Sequence, residues 1–472
     1  MKTIRYQSLA HETEKLITDG ILRPGDRLPS VRQVCRTHAI SPVTVTQAYY
    51  LLESRGLIEA RPKSGYFVRS RLGQRLEEPA MSQPLGDSTA LQVSDFIFQI
   101  LNSVKDPSVV PLGSSFPSPF LFPLDKLGRF LCQAARRFDP LSTLTDLPPG
   151  NDELRRQIVL RYLSRGAAIS TDEIVVTSGA MEGINLCLQA VTQPGDLIAI
   201  ESPTFYAGLQ ASERLGLKVI EIPSHPREGI SLQALTDALR QHPIKACLLM
   251  LNFGNPTGSA VSEARKRDLI DLLARHDVPL IEDDVYNELY FGPQPPLCSK
   301  SLARADHVMH VSSFSKCLAP GYRLGWVAAG RYAEKITRLK LATTLATTVP
   351  VQIALADYLK HGGYDHHLRR LRQQLMVQES LLIEGIERHF PATTRLARPS
   401  GGYFVWLELP ENIDALKLQR MALDQGISIA PGPIFSAKKE FGHCIRLNFG
   451  HPQTEVMQQA LATLGRLVVA QC

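Results

Sequence analysis

The chain of 472 residues is 44% hydrophobic and 21% charged, with a formal net charge of +6, and is long enough for two or three globular domains. No apolar run reaches transmembrane length, and the amino end carries Lys2, Arg5, His11 and Glu12 where a secretory signal is apolar, so no membrane partner is expected. Eight cysteines are scattered without Cys-x-x-Cys pairs or a Cys/His cluster; neither a disulfide scaffold nor a metal site is indicated, and a reducing compartment follows, most simply a bacterial cytoplasm.

The excess positive charge is localised. Residues 1–72 hold twelve Lys/Arg against six Asp/Glu, which leaves forty of each sign in the remainder. Such clustering is the electrostatic footprint of a protein that binds a phosphate backbone. Within it, Ile4, Leu9, Leu16 and Ile17 repeat at helical spacing until Gly20 and Pro24-Gly25-Asp26 stop the helix. Ser30 caps a second helix from Val31 to His38, and Ser41-Pro42 caps a third from Val43 to Arg55. Leu57 to Ala60 and Tyr66 to Val68 alternate like strands around Pro62-Lys63-Ser64-Gly65. Three short helices and a basic hairpin predict a winged helix-turn-helix over residues 1–70. The stretches Leu28-Pro29-Ser30-Val31-Arg32 and Ser41-Pro42-Val43-Thr44-Val45-Thr46-Gln47-Ala48-Tyr49 resemble the GntR regulators. That resemblance implies double-stranded DNA as partner: Arg27, Ser30 and Arg32 anchor the backbone, Thr44, Thr46 and Tyr49 face the major groove, and Lys63, Ser64 and Gly65 form the wing tip.

Residues 71–94 are polar, contain Pro79 and Pro84 and show no sustained apolar period, as in a semi-flexible linker. From residue 95 onward, strands near 174, 198, 219, 247, 279 and 308 alternate with helical patterns, predicting an α/β body with a mainly parallel sheet. A long helix beyond Arg331 leads to a smaller α+β part, about 335–472, containing Gly401-Gly402-Tyr403-Phe404 and the strand of Arg446.

Four stretches of this body carry chemistry. Thr177-Ser178-Gly179-Ala180 turns from a strand into a helix, where backbone N–H groups bind phosphate. Asn255-Pro256-Thr257-Gly258 follows a buried strand and offers an amide to a phenolic oxygen. Asp283, in Glu282-Asp283-Asp284-Val285-Tyr286, stands at the carboxyl end of a strand, where ligands of open α/β sheets sit. Ser313-Phe314-Ser315-Lys316 with Arg323 joins a nucleophilic amine to phosphate-binding groups. Singly, each is an ordinary turn or helix cap; together they closely resemble the fold-type I, aspartate aminotransferase-like proteins that use pyridoxal 5′-phosphate (PLP). The resemblance implies that Lys316 is the Schiff-base lysine and that Asp283 pairs with the pyridine nitrogen. It further implies that Asn255 and Tyr286 contact O3′, that Phe205 stacks on the ring, and that Gly179, Ala180, Ser313, Ser315 and Arg323 hold the phosphate. Arg446 matches the arginine that binds an α-carboxylate.

A DNA-binding head joined to such a body resembles the MocR-type layout within the GntR regulators, and the loop Asp106 to Gly113 leans towards the YdcR-like group. The implied function is a homodimeric, PLP-binding transcriptional regulator that senses PLP or a small amino compound through an aldimine on Lys316. The alternative is a competent aminotransferase with an accessory head. One departure bears on turnover: Thr145 stands where the family usually has a tyrosine reaching the cofactor phosphate across the dimer.

Overall fold

The computed structural model describes residues 5–18, 21–22, 25–54, 57–61, 65–68, 76–84, 86–102, 106, 108–141, 146–302 and 306–472. Of the expected site residues, Lys63 and Ser64 lie outside this set, as does Thr145.

In the head, α1 (Arg5–Thr18), α2 (Val31–His38) and α3 (Pro42–Ser54) precede a hairpin of β1 (Ile58–Arg61) and β2 (Gly65–Val68). Ser30 begins α2 by accepting the N–H of Gln33 at 3.3 Å, and Ala39 ends it in the left-handed region at φ 50°. Ser41 does the same for α3 through the N–H of Thr44 at 3.2 Å. Leu9, Ala10, Leu28, Val34, Val45, Ala48, Leu52, Ile58 and Val68 close a core of their own. On α1 the expected apolar set holds only in part: Leu9 is buried and Ile17 packs against the core, but Leu16 is exposed, Ala10 takes a core place instead, and Ile4 lies outside the described residues.

Among the described residues the body holds a nine-stranded sheet and a second, four-stranded one. Strands β5 (Leu197–Ser202), β6 (Lys218–His225), β8 (Ile244–Leu249), β9 (Leu280–Asp283) and β10 (Val308–Ser313) run parallel, in the order β6-β5-β8-β9-β10. They read as continuous apolar runs because helices cover both faces. Beyond β10 the sheet turns mixed: β11 (Gly325–Ala328) runs antiparallel between β10 and β4 (Ile174–Thr177), which again points with the parallel set, and β7 (Gly229–Ile230) pairs with β6. At the opposite edge β3 (Thr89–Ala90) pairs antiparallel with β6, so part of the stretch read as linker is a sheet edge. Its polar composition suits a strand with one open side.

Past Arg331 the expected long helix is three helices, Ala333–Thr343, Val349–His361 and Tyr364–His389. Leu345 at φ 60° and Gly363 at φ 75° mark the reversals between them. The small sheet orders β12 (Arg395–Leu396), β13 (Phe404–Glu408), β15 (Cys444–Asn448) and β14 (Ala430–Pro431), with Trp406 opposite Arg446. No helix among the described residues is long and apolar enough to cross a membrane.

Candidate cofactor and nucleic-acid sites

Successive side chains of a strand point to opposite faces, and this separates the two aspartates at the end of β9. Asp283 is buried with one carboxylate oxygen, Oδ1, lacking any partner. Burial, followed by repulsion from Asp284, pushes its carboxyl up to about 7, with Lys316 opposing. Lys316 lies just beyond β10. Burial, then Arg446 and Arg323, lower its amine to about 7 against the pull of Asp283. Its Nζ donates to the carbonyl of Ser115 at 2.9 Å and sits 4.0 Å from the centre of the Phe116 ring.

At the end of β4, Gly179 (φ 91°) opens the helix Ala180–Val191. A Cβ at Gly179 would come within 2.5 Å of Nη2 of Arg323, so both the backbone and the arginine require glycine. Arg323 reaches Ser315 Oγ at 3.2 Å, and Ser313 Oγ accepts the N–H of Ser315 at 3.4 Å. The residues predicted to hold phosphate thus meet at one helix N-terminus, whose first N–H groups have no intrahelical acceptor. Glu182 is an unforeseen support here. It accepts the N–H of Ser178 and is held by Lys340 and Thr344.

Asn255 Nδ2 donates to the Tyr286 hydroxyl at 3.4 Å, while its Oδ1 accepts from Arg446 at 2.9 Å. Arg446 is fully buried, with its guanidinium 4.2 Å from the Phe404 ring centre. Its Nη2 donates to Gly113 O at 2.7 Å and Ser114 O at 3.2 Å, while Nε has no partner. The loop 113–116 therefore occupies both Arg446 and Lys316 at once. Tyr403, from the Gly401-Gly402-Tyr403-Phe404 stretch, donates to the same Ser115 carbonyl at 3.1 Å. A small cavity is lined by Phe205, Asp283, Glu201 and Thr204; burial pushes Glu201 up to about 8.

Asp284 looks the other way. Its carboxylate takes Asn252 Nδ2 at 3.0 Å, Asn287 Nδ2 at 2.8 Å and His310 Nε2 at 2.9 Å. The second nitrogen of His310 meets the Tyr162 hydroxyl, which also accepts from Trp326 Nε1 at 3.0 Å. Against the lowering effect of burial, Cys298, Tyr162 and the bond to Asp284 hold His310 well above the usual imidazole value. Glu282, Cys298 and His310 bring possible metal-ligating atoms within 4.8 Å of one another, but both nitrogens of His310 already have protein partners. Distant residues build this network, so the only signal of it in the sequence is the doubled aspartate.

In the head, Arg27 and Arg32 are exposed, as are Ser30 and Gly65, and Thr44 and Thr46 are half-buried on α3. Thr44 shares its hydroxyl with Ser41 at 2.8 Å. The guanidinium of Arg27 lies against Gly65, 3.4 Å from where a Cβ would stand. Tyr49 does not face the groove. It is 1% exposed, donates its hydroxyl to Pro29 O at 2.7 Å and packs edge-on against Tyr66. Tyr49 stands four residues past the buried Val45 and so falls on the core side of α3, where burial of its ring outweighs display.

Residues 132–464 match the aminotransferase class I and II family, and residues 5–68 match the bacterial regulatory proteins of the gntR family. The chain belongs to the class I and II aminotransferase family and carries a gntR-family head. The HTH-type transcriptional regulator YdcR of Escherichia coli K12 is 47% identical over 98% of this chain and 99% of its own. NorG, an HTH-type transcriptional regulator of Staphylococcus aureus, is 27% identical over 92% of this chain and 98% of its own. Among solved structures, the kynurenine aminotransferase of Pyrococcus horikoshii, in complex with PMP, superposes with a TM-score of 0.75. It is 27% identical, covering 81% of this chain and 95% of that one. LysN of Thermus thermophilus, complexed with N-(5′-phosphopyridoxyl)-L-leucine, superposes at 0.72 with 25% identity, covering 81% of this chain and 99% of that one.

The MocR-type layout is therefore that of this chain, and PLP is the cofactor its fold-type I body implies. The residues fit that group. The orphaned Oδ1 of Asp283 suits a protonated ring nitrogen, and a cation there would return the carboxyl to its ionised form. The glycine-lined helix terminus beside Arg323 suits a phosphate.

Proposed function

We propose that this protein is a PLP-binding transcriptional regulator whose body senses PLP or a small amino compound at Lys316. The observation that carries the reading is the partnerless, buried Oδ1 of Asp283, in the same site as Lys316 and in a chain that begins with a DNA-binding fold. When bound, PLP supplies an aldehyde for which Lys316 and other amines compete. The residues then have distinct tasks. Asp283 holds the ring nitrogen, Asn255 and Tyr286 hold the phenolic oxygen, and Phe205 covers the ring. Gly179, Ala180, Ser313, Ser315 and Arg323 retain the phosphate. With its amine lowered to about 7, Lys316 has a substantial neutral, nucleophilic fraction near neutral pH, which an ordinary lysine lacks.

Arg446 is the group that distinguishes an amino acid from a bare amine. An α-carboxylate that engages it displaces the Gly113 and Ser114 carbonyls it now bonds, biasing the position of the small domain and, through residues 71–94, the spacing of two heads. In the head, Arg27, Ser30 and Arg32 anchor the phosphate backbone, Lys63, Ser64 and Gly65 form the wing tip, and Thr44 and Thr46 face base edges. The protein acts in the cytoplasm as a homodimer on a two-half-site operator; sedimentation as a stable monomer would contradict that assembly.

The deciding experiment titrates operator binding with apo protein, PLP-loaded protein, and PLP-loaded protein plus an amino-acid panel. An affinity that follows PLP loading but no amine makes PLP itself the signal; an affinity indifferent to both overturns the reading. The retained Lys316 and Arg446 also support a competent aminotransferase, for which catalytic release of a keto acid from an amino acid is the test.

A further inference from the structure

The stretch between head and body is bonded to the body at both ends of β6 and to the small domain. Leu396 of the small domain donates its N–H to Glu77 O at 2.8 Å, and Arg395 lies 3.6 Å from the Glu77 carboxylate. Glu78 pairs with Arg227. Farther on, β3 adds to β6, and the N–H groups of Val93 and Ser94 donate to Glu213 at 3.0 and 2.8 Å. Between these anchors stands Ser82. Its hydroxyl donates to Ser202 O at 2.5 Å and accepts the Ser224 N–H at 2.8 Å, while its own N–H donates to Ser224 O at 3.1 Å.

These bonds fall where the parallel ladder between β5 and β6 runs out. The last pair is Ser202 opposite Pro223, and proline has no N–H to contribute. The Ser82 hydroxyl inserts between the Ser202 carbonyl and the Ser224 N–H, serving as donor and acceptor together, which only a hydroxyl can do here. Ser202 is fully buried and its own hydroxyl donates to Glu221 at 3.0 Å. Three residues later comes Phe205, beside Asp283 in the cavity.

We propose that Ser82 is a positioning residue for the cofactor: it clasps the Ser202–Phe205 turn, so that seating of the linker and occupancy of the PLP site are one coupled equilibrium. This deepens, and rests on, the PLP-sensing reading. By reciprocity, whatever the seated linker adds to PLP affinity, bound PLP adds to linker seating.

The test uses the full chain. PLP affinity is measured for wild type, Ser82→Ala and Ser82→Thr, and hydrogen exchange of residues 76–90 is followed in wild type with and without PLP. Loss of the hydroxyl's two hydrogen bonds, only part of which reaches the cofactor site, is expected to weaken PLP about fivefold in Ser82→Ala, with Ser82→Thr near wild type. PLP is expected to slow exchange across 76–90 severalfold. Equal PLP affinity in wild type and Ser82→Ala, or exchange indifferent to PLP, overturns the clasp while leaving the cofactor site standing. Wild type that takes up no PLP overturns the site reading itself. Should Ser82→Ala not fold, the exchange measurement on wild type decides alone.

Discussion

The head and the body both gather charge, and they do so on opposite terms. In the head, Arg27 and Arg32 stand exposed over a core made of apolar side chains; each charge is solvated and costs the fold almost nothing. In the body, Asp283, Asp284, His310 and Arg446 are all buried to 5% exposure or less. Each there needs a partner, because an unpaired buried charge is expensive. Asp284 and His310 satisfy one another, whereas Asp283 and Arg446 each keep one atom without a partner. The contrast teaches where to look for a small ligand. A surface that binds a long polyanion spreads its charges in water, while a pocket for one small molecule keeps a few polar atoms waiting in a dry interior.

Changing the waiting atoms should have the largest effect. Lys316→Ala is expected to abolish covalent retention of PLP, read by borohydride treatment and peptide mapping, and label persisting at that peptide position would break the assignment. Asp283→Ala is expected to weaken PLP by about 100-fold or more, as removal of one partner from a buried ion pair does. Next is the independence of the two cores. Leu52→Ala, at a position with no exposure, should destabilise the head by about 2–5 kcal/mol, and calorimetry should show the body's transition unmoved. A third measurement sharpens the electrostatic side. The rate of PLP uptake should rise with pH and level off above about 7, since the neutral amine is the nucleophile and Lys316 loses its proton there. For stability the sign is set by a lowered lysine: the ligand-free fold gains from this group as pH rises from about 7 towards the ordinary lysine value, and is flat below. An uptake profile still climbing at pH 9 would contradict the depressed amine.

Smaller effects belong to the head. Arg32→Ala should weaken binding to all DNA sequences and flatten the salt slope by about one unit, and an unchanged slope would remove Arg32 from the phosphate contacts. Tyr49→Phe removes only the hydroxyl bonded to Pro29. It should cost about 1 kcal/mol of head stability and leave operator preference as it was, whereas altered preference would return Tyr49 to the groove.

The sequence by itself determined the order of elements and the motifs that lie within one turn of chain. Ser30 and Ser41 cap the helices they announce, the predicted strands appear at their predicted positions, and Gly179 and Arg323 meet as the phosphate motif implies. Local patterns suffice there because caps, alternation and turn glycines are set by neighbours in the chain. Tertiary structure alone decided what depends on remote contacts. It turned Tyr49 into core, made Asp284 the partner of His310, 26 residues away, and set Ser82 on Ser202, 120 residues away. It also made a sheet edge of residues whose polarity reads as a linker. A hydroxyl or carboxylate carries no sign of the group it will meet; its role follows from which strands the fold places beside it, and that is a property of the closed sheet rather than of any stretch of chain.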